Sequence, residues 1–238
     1  MGRPTALVIV PTYNECRNLA ALTEGLLKHS DVRLMVVDDH SPDGTGEVAD
    51  ALARANPDRV EVIHRHGRRG LGLSYRDGFR KAIRESVDLV CHMDADLSHD
   101  PDRLPALIEA ATDADLVIGS RYVPQGTIVN WPWQRRLLSR FANLYVRTLT
   151  RLDVHDCTSG YRCWRRQLLA ALPIERIVSD GYSFLIETLY LAARGGARVA
   201  EVPITFVERR QGESKLSAAV LAESLMTPWR LIATDRRP

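Results

Sequence analysis

Short apolar runs alternate with segments of helical periodicity through the first half of the chain. Strand-like runs are LVIV (7–10), LMVV (34–37), VEVI (60–63), LVCHM (89–93) and DLVIGSR (115–121). One helical face is indicated by Leu19, Leu22, Leu26 and Leu27, and a shorter helix by Val48 and Leu52. Further helices are expected at 75–86 and from Pro101 onward. This alternation predicts an α/β fold, with a mainly parallel sheet and crossover helices on its faces.

The second half of the chain has a different pattern. It contains an Arg-rich amphipathic segment (131–152), an irregular DCTSGYRCW stretch (156–164), a helix at 184–193 and one long strand, VAEVPITFVER (199–209). No repeat or flexible linker separates the halves, so both are expected to share one sheet. We therefore predict one catalytic domain over 1–217, divided at about residue 120, and an amphipathic C-terminal tail over 218–238.

The balance of charges excludes one broad class of function. Lys and Arg number 32 against 30 Asp and Glu in 238 residues, a formal net charge of +2. Nucleic-acid binding driven by bulk positive charge is therefore not expected. The four cysteines show no CxxC spacing, so we expect neither a disulfide framework nor a zinc site, as fits a reducing compartment. The sequence also predicts no signal peptide and no membrane-spanning helix.

Unusual polar residues follow the predicted strands. They are residues 12–15, Asp38 and Asp39, Asp94 and Asp96, and Ser120 and Arg121. Ligands of open α/β sheets bind outside the carboxyl ends of the strands. In an extended chain Asp94 and Asp96 point to the same face, where two carboxylates repel unless a cation lies between them or one is protonated.

A divalent cation suits that pair of acids. Mg²⁺ takes a few carboxylate oxygens and completes its coordination with water and substrate phosphates. The pair therefore predicts a site for a diphosphate-bearing substrate. The competing interpretation is that both acids are solvated and cap the helix that follows Pro101.

Seven segments together resemble the family 2 glycosyltransferases and, more narrowly, the dolichyl or polyprenyl phosphate mannose synthases. They are PTYNE (11–15), VVDDHSPDGT (36–45), RGLG (69–72), MDADLSHDP (93–101), GSRY (119–122), CTSGYR (157–162) and RRQGESKLS (209–217). The resemblance spans about 5–217 and implies the Rossmann-like GT-A fold. It also implies transfer of mannose from GDP-mannose to a polyprenyl phosphate, with Mg²⁺ or Mn²⁺ as cofactor.

The resemblance assigns roles to individual residues. Those expected around the nucleoside are Pro11, Tyr13, Glu15, Val37 and Asp39. Those expected at the ribose, diphosphate and metal are Asp94, Ala95 and Asp96, with Arg121 near the sugar and phosphates. Arg209 and Lys215 are expected on an acceptor loop over 209–217 that closes over the donor. Where the family often has Gln as a further metal ligand, this chain has Ser98, so the metal preference is open.

A lipid phosphate acceptor sets modest chemical demands. It is already anionic near neutral pH and needs no general base, so the enzyme acts mainly by positioning and by stabilising the leaving diphosphate. Direct displacement would invert the anomeric centre and give the β-mannoside. Candidates for holding the acceptor phosphate are Arg121, Arg135, Ser159, Arg209 and Lys215. Simpler interpretations stay open: a solvated basic loop for Arg209 and Lys215, and an ordinary turn for TSGYR.

The segment 131–152 carries five arginines and no acid, with apolar residues at helical spacing and two tryptophans at its start. Such a helix lies in the headgroup layer of a membrane, or else packs on the sheet with its arginines in water. A lipid acceptor favours the first interpretation. We therefore expect a peripheral protein on the cytoplasmic face of a membrane. The tail is expected to add a second amphipathic contact or to dock on a membrane-spanning partner protein.

Other functions compete with this interpretation. A receiver-type signalling module would place its paired acids after the first strand, whereas LVIV precedes them here. A phosphatase with Asp94 as nucleophile would leave PTYNE and Asp39 without a role. The nearest rival is a polyprenyl phosphate glucosyltransferase, or another family member that uses a UDP-sugar. Polyprenol length, oligomeric state and the pathway served are not encoded in any recognisable motif.

Overall fold

The computed structural model describes residues 4–208 and 218–235. Its strands are β1 (Ala6–Thr12), β2 (Val32–Asp38), β3 (Val60–His64), β4 (Leu89–His92), β5 (Leu116–Ser120), β6 (Thr127–Val129), β7 (Arg162–Arg165), β8 (Val199–Pro203) and β9 (Thr205–Val207). Its α-helices are α1 (Leu19–Leu27), α2 (Thr45–Ala55), α3 (Leu71–Ala82), α4 (Leu104–Ala110), α5 (Trp133–Thr150), α6 (Arg166–Ala171), α7 (Gly181–Arg194) and α8 (Ala218–Asp235). Short 3₁₀ turns cover Pro101–Arg103 and Ile174–Arg176.

Seven strands form one sheet in the order β3-β2-β1-β4-β7-β5-β8. All neighbouring pairs are parallel except those of β7, which is antiparallel to both β4 and β5. The chain runs outward from β1 to β3 and then returns to β4 on the other side of β1. That reversal places a crevice at the carboxyl ends of β1 and β4, the usual ligand position in such sheets.

Helices cover both faces of the sheet because alternate residues of each strand point to opposite sides. In β1, Leu7 and Ile9 belong to the core beneath α3, α7 and α8. Ala6, Val8 and Val10 belong to the opposite core, which is covered by α1, α2 and α4. The predicted mainly parallel sheet flanked by helices is confirmed.

Several predicted elements differ in their bounds. The helix expected at 75–86 is α3, which begins earlier, at Leu71, and ends at Ala82. The fourth strand stops at His92, so the two acids lie in the following loop and the extended-chain argument does not describe them. The amphipathic segment is helical only from Trp133 to Thr150.

Two parts of the second half were mispredicted. DCTSGYRCW leads into β7, which begins at Arg162 and ends one residue after the stretch, at Arg165; this short, mostly buried strand gives no clear alternation of polar and apolar residues. The long predicted strand is broken at Ile204 into β8 in the main sheet and β9, which pairs with β6. The break carries the chain from the edge of the main sheet to the loop after β4, where His99 bridges Phe206.

The C-terminal tail forms α8, which packs on α7 and α5. Trp229 Nε1 donates to Tyr145 Oη (2.9 Å), and Tyr145 Oη donates to the carbonyl of Leu225 (2.7 Å). Arg230 pairs with the buried Glu187 of α7 at 3.0 Å. The tail is therefore part of the folded body through one helical face, although Pro228 lies inside the helix.

Candidate active site

The loops that follow β1, β2 and β4 lie side by side at one edge of the sheet. Each contains one residue with left-handed backbone: Asn14 (φ 60°), His40 (φ 57°) and Leu97 (φ 62°). For Leu97 this conformation is costly, because a side chain beyond Cβ crowds the following carbonyl. Residues with such strained backbone are common at functional sites, where the surrounding structure holds them in place.

Asp39 anchors a second loop to this edge. Its carboxylate accepts the backbone N–H of Gly70 (2.8 Å) and pairs with the buried guanidinium of Arg65. Arg65 also donates to Asp77 at 2.8 Å, so the segment between β3 and α3 is fastened at both ends. A Cβ at Gly72 would lie 2.7 Å from the Ser179 carbonyl, so the first turn of α3 passes too close to the segment before α7 for a side chain.

The predicted nucleoside residues lie on the first two strand ends. Pro11 pairs with Val37 across β1 and β2, and the Val37 side chain is fully buried. Arg69 stacks on the Tyr13 ring at 4.7 Å and donates to its hydroxyl at 2.7 Å. Glu15 accepts from the Asn18 amide, 2.8 Å away. The structure thus brings all five predicted residues, Asp39 included, to neighbouring positions beside the crevice.

The loop after β4 carries the two predicted metal-site acids in different environments. The Asp94 side chain is 38% exposed, whereas Asp96 is 7% exposed. Asp96 Oδ1 accepts the backbone N–H of Ser98 at 3.1 Å, a turn that the left-handed Leu97 makes possible. The Ser98 hydroxyl is buried, and none of the described residues hydrogen-bonds to it.

His99 holds this acidic loop in place. Its Nδ1 accepts the backbone N–H of Asp94 at 3.2 Å, so the ring proton is on Nε2 in the neutral imidazole. Burial lowers the pKa of His99, against the opposing effect of Asp94 and Asp96, which favours that neutral form. On the other side, a Cβ at Gly160 would lie 3.2 Å from Asp94 Oδ1, so any larger residue there would require the carboxylate to move.

Arg121 forms a buried ion pair that the sequence did not reveal. Its Nε and Nη2 each donate to one oxygen of Asp156 at 2.7 Å, and Nη2 also donates to Thr158 at 2.8 Å. Burial alone would lower the pKa of Arg121, but Asp156 outweighs it and the net shift is upward. Burial would likewise raise the pKa of Asp156, yet the guanidinium lowers it. Both groups therefore stay charged.

Aromatic rings surround the charged side chains on this side. The Arg121 guanidinium lies 5.6 Å from the Trp131 ring centre and 5.4 Å from that of Phe206. Arg135 lies 4.0 Å from the centre of the same Trp131 ring and pairs with Glu208 at 2.7 Å. Two of the predicted phosphate-binding arginines therefore flank one tryptophan.

Ser159 is less accessible than its predicted role would suggest. It is 2% exposed, and its hydroxyl donates to the Gly119 carbonyl at 2.6 Å. Antiparallel β7 brings this turn to the same sheet edge as the other strand ends, which explains why TSG reaches the site at all. In this structure the Ser159 side chain fastens the turn to β5.

Arg209 and Lys215 lie outside the described residues. Sequence reasoning missed three residues that position predicted site residues. Arg65 pairs with Asp39, and Asp156 pairs with Arg121. His99 accepts the backbone N–H of Asp94. Asp156 stands directly before the quoted CTSG motif, and His99 lies inside MDADLSHDP. The motifs therefore pointed to the neighbourhood of Asp156 and His99. Their contacts were not predictable from sequence, because the partner is either distant along the chain or a backbone group.

Within residues 4–208 and 218–235 no three His, Cys, Asp or Glu side chains converge closely enough to hold a metal ion by themselves. A metal bound at Asp96 would thus need oxygen ligands from a substrate, as is usual for Mg²⁺ with a diphosphate. The site combines acids after β4 with arginines after β5, a distribution suited to a metal-bound diphosphate beside a second anion.

None of the helices in the described part of the chain has the length and apolarity that a bilayer crossing requires.

Comparison with known proteins agrees with this geometry. The glycosyl transferase family 2 model matches residues 7–172. Polyprenol monophosphomannose synthase of Mycolicibacterium smegmatis is 48% identical over 228 residues, covering 94% of this chain and 86% of that protein. Undecaprenyl-phosphate mannosyltransferase of Micrococcus luteus is 47% identical, covering 95% of this chain and 94% of the relative.

Solved structures share the fold at lower identity. A crystal structure of glucosyl-3-phosphoglycerate synthase from Mycobacterium tuberculosis, in complex with Mn²⁺, UDP and glucosyl-3-phosphoglycerate, superposes with a TM-score of 0.65. It is 21% identical, and the match covers 97% of this chain and 78% of that one. The expected GT-A fold is confirmed, and the chain belongs to glycosyl transferase family 2.

Proposed function

We propose that the protein transfers mannose from GDP-mannose to a polyprenyl phosphate, with inversion, to give polyprenyl phosphate β-mannose and GDP. The observation that carries the proposal is near-full-length identity of 47–48% with two relatives named for transfer of mannose to a polyprenyl carrier. The arrangement of acids and arginines at the sheet edge supports it. The domain division at about residue 120, with an acceptor loop over 209–217, is part of the same proposal.

The donor occupies the crevice at the ends of β1, β2 and β4 in this proposal. Tyr13 offers an aromatic face, and Asp39 and Glu15 offer acceptors for the N–H groups of guanine and the hydroxyls of ribose. Asp39 already holds Gly70 and Arg65, so it positions the loop over the nucleoside as well as the nucleoside itself. Asp94, Ala95 and Asp96 contact the ribose and diphosphate.

The residues present fit a divalent cation at the diphosphate. Asp96 supplies a carboxylate, and the buried Ser98 hydroxyl, which no described residue hydrogen-bonds, supplies a neutral oxygen on the same loop. Mg²⁺ or Mn²⁺ bound there would neutralise negative charge that develops on the departing diphosphate. Because a serine oxygen is a weaker ligand than a carboxylate, we expect affinity to depend strongly on the nucleotide's own phosphates.

The acceptor phosphate approaches from the β5 side. One of its oxygens attacks the anomeric carbon of mannose while the bond from that carbon to the diphosphate breaks, and GDP departs with the electron pair. Arg121 and Arg135, both beside Trp131, are positioned to hold the attacking phosphate. Glu208 competes for Arg135, so phosphate binding requires that ion pair to open. Arg209 and Lys215 complete the phosphate site in this proposal.

The test is transfer of radiolabel into an organic-extractable lipid from GDP-mannose, UDP-glucose and UDP-N-acetylglucosamine, each with Mg²⁺, Mn²⁺ or EDTA. We expect labelling from GDP-mannose only, and only with metal. Labelling from UDP-glucose would instead assign the polyprenyl phosphate glucosyltransferase activity. No labelled lipid from any donor would overturn the lipid acceptor.

Paired variants test the role of the acidic loop. Asp96→Ala should abolish transfer, whereas Asp102→Ala, an exposed acid in the next turn, should leave it unchanged. Full activity of Asp96→Ala would refute the metal assignment. Lys215→Ala should lower transfer without changing the free energy of unfolding.

A further inference from the structure

A basic cavity of about 580 Å³ lies between the loop after β5 and the second half of α5. Its lining includes Arg121, Arg140, Asn143, Arg147 and His155, and none of its eleven lining residues is acidic. The two metal-site acids, Trp131 and Arg135 are not among them. The cavity therefore adjoins the proposed reaction centre through Arg121 but is a separate space.

Two of the cations in this cavity carry uncompensated charge. Arg121 is neutralised by Asp156, and His155 is bound by Glu201 at 2.9 Å. For Arg140 and Arg147, in contrast, the described residues provide no hydrogen bond or ion pair. Burial raises the pKa of Tyr122 in the cavity wall, and the nearby charges of Arg121 and Arg140 oppose that rise. The cavity thus contains two positive charges that the described residues do not neutralise.

The rim of the cavity is continuous with an exposed apolar surface. Leu144 both lines the cavity and is 60% exposed. On the same side of α5 the large exposed apolar residues are Trp133, Leu137, Leu138 and Phe141. Helix α8, joined to α5 through Tyr145, adds Leu225, Met226 and Trp229. We name these residues of the two helices, with Leu144, the apolar face.

The geometry points to the headgroup phosphate of an anionic phospholipid as the occupant of the cavity, with the acyl chains of that lipid layer against the apolar face. A soluble anion would explain Arg140 and Arg147 but not seven exposed apolar side chains beside Leu144. A purely apolar partner would leave both arginines desolvated and unpaired. Only a ligand with a phosphate attached to hydrocarbon, presented at a membrane surface, satisfies both.

This lipid is distinct from the acceptor, because the cavity lining contains neither Arg135 nor the acids proposed to hold the donor. A phosphate held by Arg140 and Arg147 therefore lies away from the position from which the acceptor would attack, and it would retain the protein on the bilayer before and after each transfer. The inference goes beyond the proposed function and does not depend on it, since lipid binding can be measured without any sugar donor. The inference specifies an anionic headgroup for the lipid that the protein contacts, whereas an amphipathic helix alone does not indicate which lipid is bound.

The experiment is co-sedimentation of the full chain with vesicles of phosphatidylcholine alone or mixed with phosphatidylglycerol. Arg140→Gln/Arg147→Gln is compared with Arg136→Gln/Arg151→Gln, which removes the same charge from α5 and from the residue directly after it, outside the cavity. Each basic residue near an anionic surface contributes roughly a fivefold gain in binding. We expect the cavity pair to weaken binding to mixed vesicles about 25-fold and the control pair clearly less.

Each outcome decides between sources of the anion. Equal losses in the two variants would replace the cavity with a diffuse surface charge and overturn the site. Equal binding to both vesicle types, together with protection by inorganic phosphate alone in thermal unfolding, would assign the cavity to a soluble phosphate instead. Transfer to a short-chain acceptor in detergent should be unchanged in the Arg140→Gln/Arg147→Gln variant, which separates this inference from the proposed function.

Discussion

Removing Asp156 tests how the fold maintains a charged arginine beside the proposed reaction centre. In Asp156→Ala, Arg121 loses two side-chain hydrogen bonds of 2.7 Å, and its backbone N–H loses a third of 3.0 Å. Arg121 is 7% exposed, so water does not replace them. It keeps Thr158 and the aromatic rings around it.

The size of the effect follows from burial. Breaking a buried ion pair by removing one partner costs about 3–5 kcal/mol, because the other charge is left uncompensated. Since Thr158 and the ring faces still interact with the guanidinium, we expect the lower end, about 3 kcal/mol. In a domain of this size that corresponds to a fall in Tm of roughly 6–12 °C.

Urea unfolding followed by tryptophan fluorescence measures the loss, with Glu175→Ala as the matched control. Glu175 forms a two-bonded pair with Arg80, but both side chains are largely in water, so its removal should cost far less. The double replacement Arg121→Met/Asp156→Leu should recover stability without recovering transfer. A loss below about 1 kcal/mol in Asp156→Ala would refute the reasoning, because it would mean that Arg121 does not need its buried partner.

Three further results are expected. Burial lowers the pKa of both His92 and His99 below 6.5, so as the pH falls the unfolded chain takes up protons before the folded protein does. The stability present above about pH 6.5 is therefore lost below it. In urea unfolding, the free energy of unfolding should be about 1.4 kcal/mol lower at about pH 5.5 than at about pH 7.5 for each imidazole that stays neutral in the fold, and a flat profile would contradict this. Gly72→Ala should raise the donor KM, because the new methyl group would lie 2.7 Å from the Ser179 carbonyl and displace the start of α3 together with Gly70, which Asp39 holds. Gly67→Ala should leave the KM unchanged, because no atom lies within 4 Å of the added methyl group. Arg230→Met should reduce the free energy of unfolding by about 2 kcal/mol, because Glu187 is 7% exposed and loses its cationic partner. The control is Arg54→Met, at an exposed arginine. An equally small change in both variants would count against α8 as part of the core.

The first half of the fold was predictable because its signals are local. Runs such as LVIV and LMVV are uniformly apolar, as strands buried on both faces must be, and their helices repeat leucine at helical spacing. Once these strands were recognised, the polar residues at their carboxyl ends could be identified directly from the sequence. The second half was predicted less well because β7 is only four residues long and carries a fully buried arginine, Arg162. A short segment with a charged residue has the sequence pattern of a loop.

The sequence by itself determined the family, the α/β class and the residues that gather at one sheet edge, because each depends on short motifs and their order. Only the tertiary structure decided which charges are already paired. Asp39 with Arg65 and Arg121 with Asp156 are separated by 26 and 35 positions, and no local pattern encodes those contacts. It also decided that Arg140 and Arg147 line the basic cavity, whereas Arg135 and Arg136 of the same helix do not. Burial is a property of packed elements, and burial determines what a charge on this chain can do.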